Sequence, residues 1–299
     1  MINQATKSDK LISKGASHML RSTLWFAGMN ICAKLVNHLP AMEVVFFRCA
    51  VALSFCLFYL QRNSISWTGS NRKLLFLRGA FGTLALYWYF LTLHHMPLGS
   101  AVTIQYLSPI FSVIAAIFIL NEKVKLPQWF FFLISFAGVI LIKGFDERVS
   151  VYYLMIGIGS AIFSALAYNM IRTIKGKEHP IVVVLHFMLI GTITGFVFTL
   201  FNFKMPQGWD WLFLILVGVF TQLGQVQMTK SLQLANIAEV SILVYTGVIY
   251  ALVAGYFIFN ETYGAVAIVG ILLVIGGVIM NILYGRKKLS EGESAEIKL

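Results

Sequence analysis

Residues 106–124 read YLSPIFSVIAAIFILNEKV, and 139 positions later residues 245–263 read YTGVIYALVAGYFIFNETY. Both are long apolar runs that open on a tyrosine and stop at an Asn-Glu pair. The same offset aligns Leu74 to Ile142 with Phe213 to Asn281 without a gap, and 17 of these 69 positions are identical. They include Gly79 with Gly218, Phe81 with Phe220, Leu84 with Leu223, and Gly138-Val139-Ile140 with Gly277-Val278-Ile279; the offset also pairs Asn30 with Asn169. Apolar composition yields some chance identity, but it does not supply shared glycines, a shared tyrosine and a shared Asn-Glu turn. The chain is therefore read as an internal duplication.

The composition says where such a chain lives. Of 299 residues, 59% are hydrophobic and only 12% charged; mean hydropathy is +0.81. Soluble domains hold about 45–50% apolar and about 25% charged residues, because a polar shell must face water. These values exclude disorder, a secreted disulfide scaffold and an ordinary soluble enzyme, and leave an integral membrane protein. Cys32, Cys49 and Cys56 show no CxxC spacing and read as small core residues. The polar, basic N-terminal segment lacks the apolar core of a removable signal peptide.

A bilayer core about 30 Å thick needs about 20 apolar residues per helix. By that measure, spans fall near 17–37, 41–60, 74–94, 98–120, 127–143, 152–172, 181–201, 210–229, 233–259 and 263–284. Runs such as LFLILVGVF from Leu212 are continuously apolar, which disfavours the alternating strands of a membrane barrel. The expected fold is all-α, with ten transmembrane helices as two five-helix repeats. Residues 1–143 form the first repeat with its N-terminal tail, 144–150 the linker, and 151–299 the second repeat with its C-terminal tail. Five is odd, so the second repeat enters the membrane from the opposite side and the halves are inverted.

The net charge of +11 is mainly a topology signal. With the N-terminus inside, 18 of the 23 Lys and Arg residues fall in inside segments, as the positive-inside rule requires. Both termini are expected to be cytoplasmic, in a multi-pass protein of the plasma (inner) membrane. The basic residues are spread over six loops and tails, so no nucleic-acid surface is expected.

These features resemble the EamA-type family of drug/metabolite transporters over nearly the whole chain. The resemblance rests on FFRCAVAL around Arg48, on the two segments ending in Asn121-Glu122 and Asn260-Glu261, and on GVILI and GVIMN in the closing helices. It implies a transporter with two five-helix halves and leaves the substrate open. One departure is Phe187, which the offset places opposite Arg48.

Ionisable groups within spans are costly and usually face the bundle interior. Lys34, Glu43 and Arg48 are read as a charged element of the outer gate, as an anchor for an anionic substrate, or as a structural ion pair, Glu43 with Lys34 or Arg48, the last preferred. Glu122 and Glu261 are read as turn residues that accept hydrogen bonds at a following helix N-terminus. His186 and Glu239 are candidates for proton coupling. Gln222 and Gln225 share a helix face and offer donors and acceptors to a solute. Asn30, Asn169, Tyr87, Tyr106, Tyr168, Tyr245 and Tyr250 add polar and aromatic surface to an expected substrate cavity. Ser160, Ser164 and Tyr168 recur every four residues beside Asn169. Pro109 lies inside a span, removes a donor and frees the Gln105 carbonyl, so a kink and a candidate hinge are expected there. Gly191 and Gly195 are read as a close helix contact, within the chain or between subunits.

The functional expectation is a secondary active transporter that moves a small polar or amphipathic metabolite by alternating access. A membrane-embedded transferase and a channel-like membrane protein are the alternatives; the first needs a nucleophile-base set, which the sequence does not display. The expected partners are a small-molecule metabolite and the lipid bilayer, with no catalytic residue, metal or cofactor. One chain supplies both halves, so a monomer suffices, and a homodimer stays open.

Overall fold

A computed structural model gives the fold and describes residues 2–119, 126–144, 148–174, 176–234 and 243–296. Among them the chain forms eleven helices: α1 (Ile2–Leu35), α2 (Ala41–Arg62), α3 (Arg72–His95), α4 (Leu98–Gln105), α5 (Ser108–Ile119), α6 (Leu126–Gly144), α7 (Val151–Ile174), α8 (Pro180–Phe201), α9 (Asp210–Leu234), α10 (Thr246–Phe259) and α11 (Ala265–Glu296). Helices are what long apolar runs form in lipid, where every backbone donor must be satisfied within its own segment.

Six helical stretches are long and apolar enough to cross a membrane: Ala41–Arg62, Arg72–His95, Leu98–Ile119 (α4 and α5 together), Val151–Ile174, Pro180–Phe201 and Asp210–Ser231. Leu126–Ile142, Thr246–Phe259 and Ala265–Asn281 are shorter apolar helices. The ten spans read from sequence thus reduce to six by length and apolarity among the described residues. Helix α1 falls short because Ser22, Thr23, Asn30 and Lys34 dilute it, and all four are buried in protein.

Local chemistry sets the helix ends. Asn71 Oδ1 accepts from Leu74 N at the start of α3, and Pro180 in the first turn with His179 as cap starts α8. Helix α10 stops where Asn260 turns left-handed (φ 52°), a conformation asparagine tolerates. Between α4 and α5 the expected kink is present. Pro109 has no N–H, and Ile110 N bonds Leu107 O at 2.9 Å, so two residues, Tyr106 and Leu107, interrupt the helix.

The helices pack in antiparallel pairs. Cys49 and Phe46 of α2 meet Gly191 and Gly195 of α8, which places that glycine pair inside the chain. Ser22 of α1 donates to the Gly224 carbonyl of α9, and Ser160 of α7 to the Ala85 carbonyl of α3. Gln128 of α6 donates to Asn281 of α11, and α4 faces α10 through Tyr106 and Tyr245. The close approaches recur with the sequence offset. A Cβ at Gly138 would lie 2.5 Å from the Gly270 carbonyl oxygen and 2.8 Å from Val274 N. At Gly277 it would lie 2.7 Å from the Phe131 carbonyl oxygen and 3.0 Å from Ser135 N, and 131 and 135 are 270 and 274 less one period.

These pairings put the start of α1 and the end of α11 on one face, here called the terminal face, with the ends of α2, α5, α7 and α9. The ends of α1, α3, α6, α8 and α10 lie on the distal face. The three cysteines are free and buried, as core residues.

Candidate functional site

A cavity of about 120 Å³ lies inside the bundle beside the break in α4. Asn30 of α1, Arg48 of α2, Arg78 and Tyr89 of α3, Gln105 and Tyr106 at the break, Ser164 and Tyr168 of α7, Phe187 of α8 and Gln225 of α9 line it. Phe26, Met29, Leu86 and Met228 supply apolar wall. Mixed lining of this kind, mostly apolar with a few convergent polar groups, is what small-molecule sites present.

The wall residues have distinct fates. Gln105 is clamped: its Nε2 donates to Ser164 Oγ at 2.7 Å and its Oε1 accepts from Ser160 Oγ at 2.8 Å. The serine stripe of α7 therefore fixes the end of α4. Gln225 is not clamped; its Oε1 is buried and has no partner among the described residues. The Arg48 and Arg78 guanidiniums stand 5.6 and 4.4 Å from the same Phe187 ring centroid. Their Nε atoms are also buried without partners among the described residues. A buried polar atom without a partner costs about 1–3 kcal/mol, so several in one cavity mark a place built for something else to complete.

On the distal face one ion pair and its hydrogen-bonded neighbours tie several helix ends together. Lys34 Nζ pairs with Glu261 at 2.5 Å and donates to the Met96 carbonyl at 2.7 Å. Glu261 also accepts from Leu98 N at 2.8 Å and from Tyr263 OH at 2.6 Å. One carboxylate thus joins the end of α1, the first N–H group of α4 and the turn after α10. Nearby, Glu43 accepts from Lys204 N at 2.9 Å, and His38 pairs with Asp210 at 2.9 Å. On the terminal face, Glu178 accepts from the Ser70 and Asn71 amides at 2.5 and 2.8 Å. Desolvation alone raises the Glu178 carboxyl, but the Asn71 and Ser70 hydrogen bonds and the attraction of His186 outweigh it, holding the group below the usual carboxylate range.

Of the residues selected from sequence, Asn30, Tyr106, Tyr168, Gln225 and Arg48 come together at the cavity. Asn169 does not reach it; its amide donates to the Ser112 carbonyl, Ser112 Oγ and the Ala165 carbonyl. Gln222 accepts from Cys56 Sγ at 3.3 Å, between α2 and α9. Tyr245 stands behind Tyr106, Tyr87 lines a depression on the distal face, and Tyr250 lines an apolar groove with Trp25, Phe220 and Phe257. His186 spends Nδ1 on the Val182 carbonyl of its own helix. Glu122 and Glu239 lie outside the described residues.

The expected pairing of Glu43 with Lys34 or Arg48 is corrected. Lys34 takes Glu261 instead, and Arg48, one and a half turns from Glu43 on α2, points to the bundle centre rather than the distal face. Glu261 does serve a helix N-terminus, but that of α4, reached across the bundle, and not the helix that follows it. Arg78 was not among the residues selected from sequence, although it lies six residues inside α3 in an apolar run. Nor was Gln105.

The model of the EamA-like transporter family matches this chain twice, over residues 13–144 and 151–283. The pseudopaline exporter CntI of Pseudomonas aeruginosa is 25% identical over 268 residues, covering 89% of this chain and 94% of its own length. Solute carrier family 35 member G1 of Mus musculus is 27% identical, covering 95% of this chain and 83% of its own. A riboflavin transporter of Vibrio cholerae is 26% identical, covering 83% and 85%. A solved crystal structure at 14% identity superimposes with a TM-score of 0.69 over 92% of this chain and 98% of its own, a likeness of fold.

Proposed function

The chain belongs to the EamA-like transporter family, and from that membership we propose that it is a secondary active transporter moving a small polar or amphipathic metabolite by alternating access. The family and its named relatives are transporters rather than enzymes, and the chain is an integral membrane protein. The proposed architecture is ten spans in two inverted halves, residues 1–143 and 151–299, joined by 144–150. Antiparallel packing of α2 on α8 and of α6 on α11, each a helix and its own repeat mate, supports the inversion. Both termini are assigned to the cytoplasmic side of the inner or plasma membrane, and one chain suffices for function.

The observation that carries this reading is the cavity itself. Residues of both proposed halves line it, and Gln225, Arg48 and Arg78 enter it with atoms that have no partner among the described residues; the Lys34–Glu261 pair on the distal face is the proposed closure. A site at the interface of inverted repeats, closed on one side, is what alternating access requires. The interruption at Tyr106–Leu107 is the proposed hinge, and Lys34–Glu261 the proposed distal gate. Relatives carry different solutes, so the substrate is not transferred from any of them.

The test compares metabolites inside and outside cells with and without the protein, then follows the changed compound into proteoliposomes of the purified chain. Saturable uptake whose affinity for the compound falls in Gln225→Ala supports the proposal. Non-saturable flux at channel rates, or no compound that moves, overturns it.

A further inference from the structure

We infer that Arg48 and Arg78 form an oxyanion site in the central cavity, so that the solute carries a carboxylate or phosphate group; this rests on the transport reading above. Arg48 is 2% and Arg78 3% exposed. An arginine stays protonated at any working pH, so both sites hold a full positive charge. Among the described residues the cavity lining contains no Asp or Glu. The four carboxylates with described side chains near the bundle, Glu43, Glu178, Asp210 and Glu261, are each engaged elsewhere, with Lys204 and its neighbours, the Ser70–Asn71 amides, His38 and Lys34.

What does surround the guanidiniums is weak. Among the described residues Arg48 Nη1 donates only to Cys49 Sγ, at 3.7 Å, and its guanidinium carbon lies over Phe90 and Phe187. Arg78 lies over Phe187 and makes no ion pair among the described residues. Ring faces offset part of a cation's desolvation, but two like charges brought to one ring repel, and a buried charge without a counter-charge is strongly unfavourable. A ligand oxyanion supplies the missing term, because the guanidinium fork matches a carboxylate or phosphate in bidentate fashion.

A glycine makes room for this arrangement. A Cβ at Gly82, one turn above Arg78, would fall 2.2 Å from Arg78 Nη1. Without a side chain there, the guanidinium folds along α3 into the cavity. The repeat mate of Arg48 is Phe187, so the duplication has kept one half as cation and turned the other into its platform. The site is asymmetric by construction, and its aromatic wall of Tyr89, Tyr106 and Phe187 suits a planar body behind the anionic group.

The experiment measures thermal stabilisation of the purified full chain in detergent, at fixed ionic strength, by benzamide, benzylammonium, benzoate, phthalate and phenyl phosphate. The two dianions are expected to half-saturate at concentrations about tenfold to a hundredfold below those of benzamide and benzylammonium, with benzoate between. The order of phthalate and phenyl phosphate tells paired carboxylates from phosphate. Arg78→Gln and Arg48→Gln each lose most of the anion preference. Gly82→Ala displaces Arg78 without removing its charge and weakens dianion binding about tenfold, which covers the case in which a charge-deleted variant does not fold. A response that is flat across charge, or Gln variants with unchanged preference, overturns the site. Charge-selective binding with no flux in proteoliposomes leaves the oxyanion site standing and removes the transport reading. Carriage of a neutral or cationic solute through the Gln225 cavity does the reverse.

Discussion

The Tyr245 hydroxyl donates to the carbonyl of Tyr106 at 3.1 Å, and the two rings meet edge to face with centroids 5.6 Å apart. These residues are one repeat period apart in sequence. The carbonyl that Tyr245 satisfies is one that Ile110 N leaves free at the helix interruption. A side chain at Gly247 would collide with the Tyr106 hydroxyl, so the contact depends on glycine there.

Replacing Tyr245 with Phe keeps the ring contact and orphans that buried carbonyl. A loss of about 1–3 kcal/mol is expected, read as a lower unfolding temperature in detergent, together with a changed rate of transport if the interruption is the hinge. A variant with unaltered stability and unaltered rate would show that the hydroxyl holds nothing.

Gln225→Ala removes a side chain whose oxygen already lacks a partner among the described residues. The protein should insert and fold normally, while substrate affinity drops up to about tenfold, the worth of one neutral hydrogen bond. Normal affinity and rate in proteoliposomes exclude Gln225 from the site.

Glu261→Gln removes the charge that holds Lys34, Leu98 N and Tyr263 together. Breaking a buried pair by removing one partner costs about 3–5 kcal/mol, here as loss of the closed distal face. Cys32, two residues before Lys34 on α1 and 6% exposed, reports it. In a chain with Cys49 and Cys56 replaced by Ala, labelling of Cys32 by a membrane-impermeant maleimide should rise. Equal labelling in the variant and its parent counts against a gate at this position.

Gly138→Ala and Gly277→Ala each drive a methyl into the backbone of the partner helix at the α6–α11 crossing. Both are expected to destabilise by about 1–3 kcal/mol, and by similar amounts, because the contacts are copies of one another. Gly276→Ala, whose Cβ meets open space, serves as the control and should cost nothing. Unequal effects of the first two weigh against equivalent crossings.

Glu178 supplies the pH dependence. Its folded-state pKa is depressed, so its contribution is present above the unfolded-state value and is lost as pH falls through the folded-state value. Wild type should exceed Glu178→Gln in stability at neutral pH, by no more than about 1 kcal/mol for so exposed a group. The two should converge only once the pH has fallen below the folded-state value, itself below the usual carboxylate range. A difference that persists there assigns the effect to something other than the charge.

Much of this was legible in the chain alone. Ten-residue alternation was absent, apolar runs of bilayer length were present, and Gly138, Gly277, Tyr106 and Tyr245 announced the duplication. The break at Pro109 followed from a missing N–H. The partners of the charged residues were not legible. Lys34 and Glu261 are far apart in sequence, and nothing local distinguishes Glu261 from Glu43 as the acid that Lys34 meets. Asn169 and Gln225 look alike as polar residues on apolar helices, yet one is consumed by Ser112 and the other is open.

The sequence by itself determined membrane class, helix positions and the repeat, because these depend on composition and on short-range or periodic terms that each segment carries in its own residues. Tertiary structure alone decided which polar groups are satisfied and which face the cavity. That depends on the rotation of each helix about its axis, fixed by glycine contacts with other helices, and a turn of α3 about its axis separates a loop-edge Arg78 from one stacked on Phe187 beside Arg48.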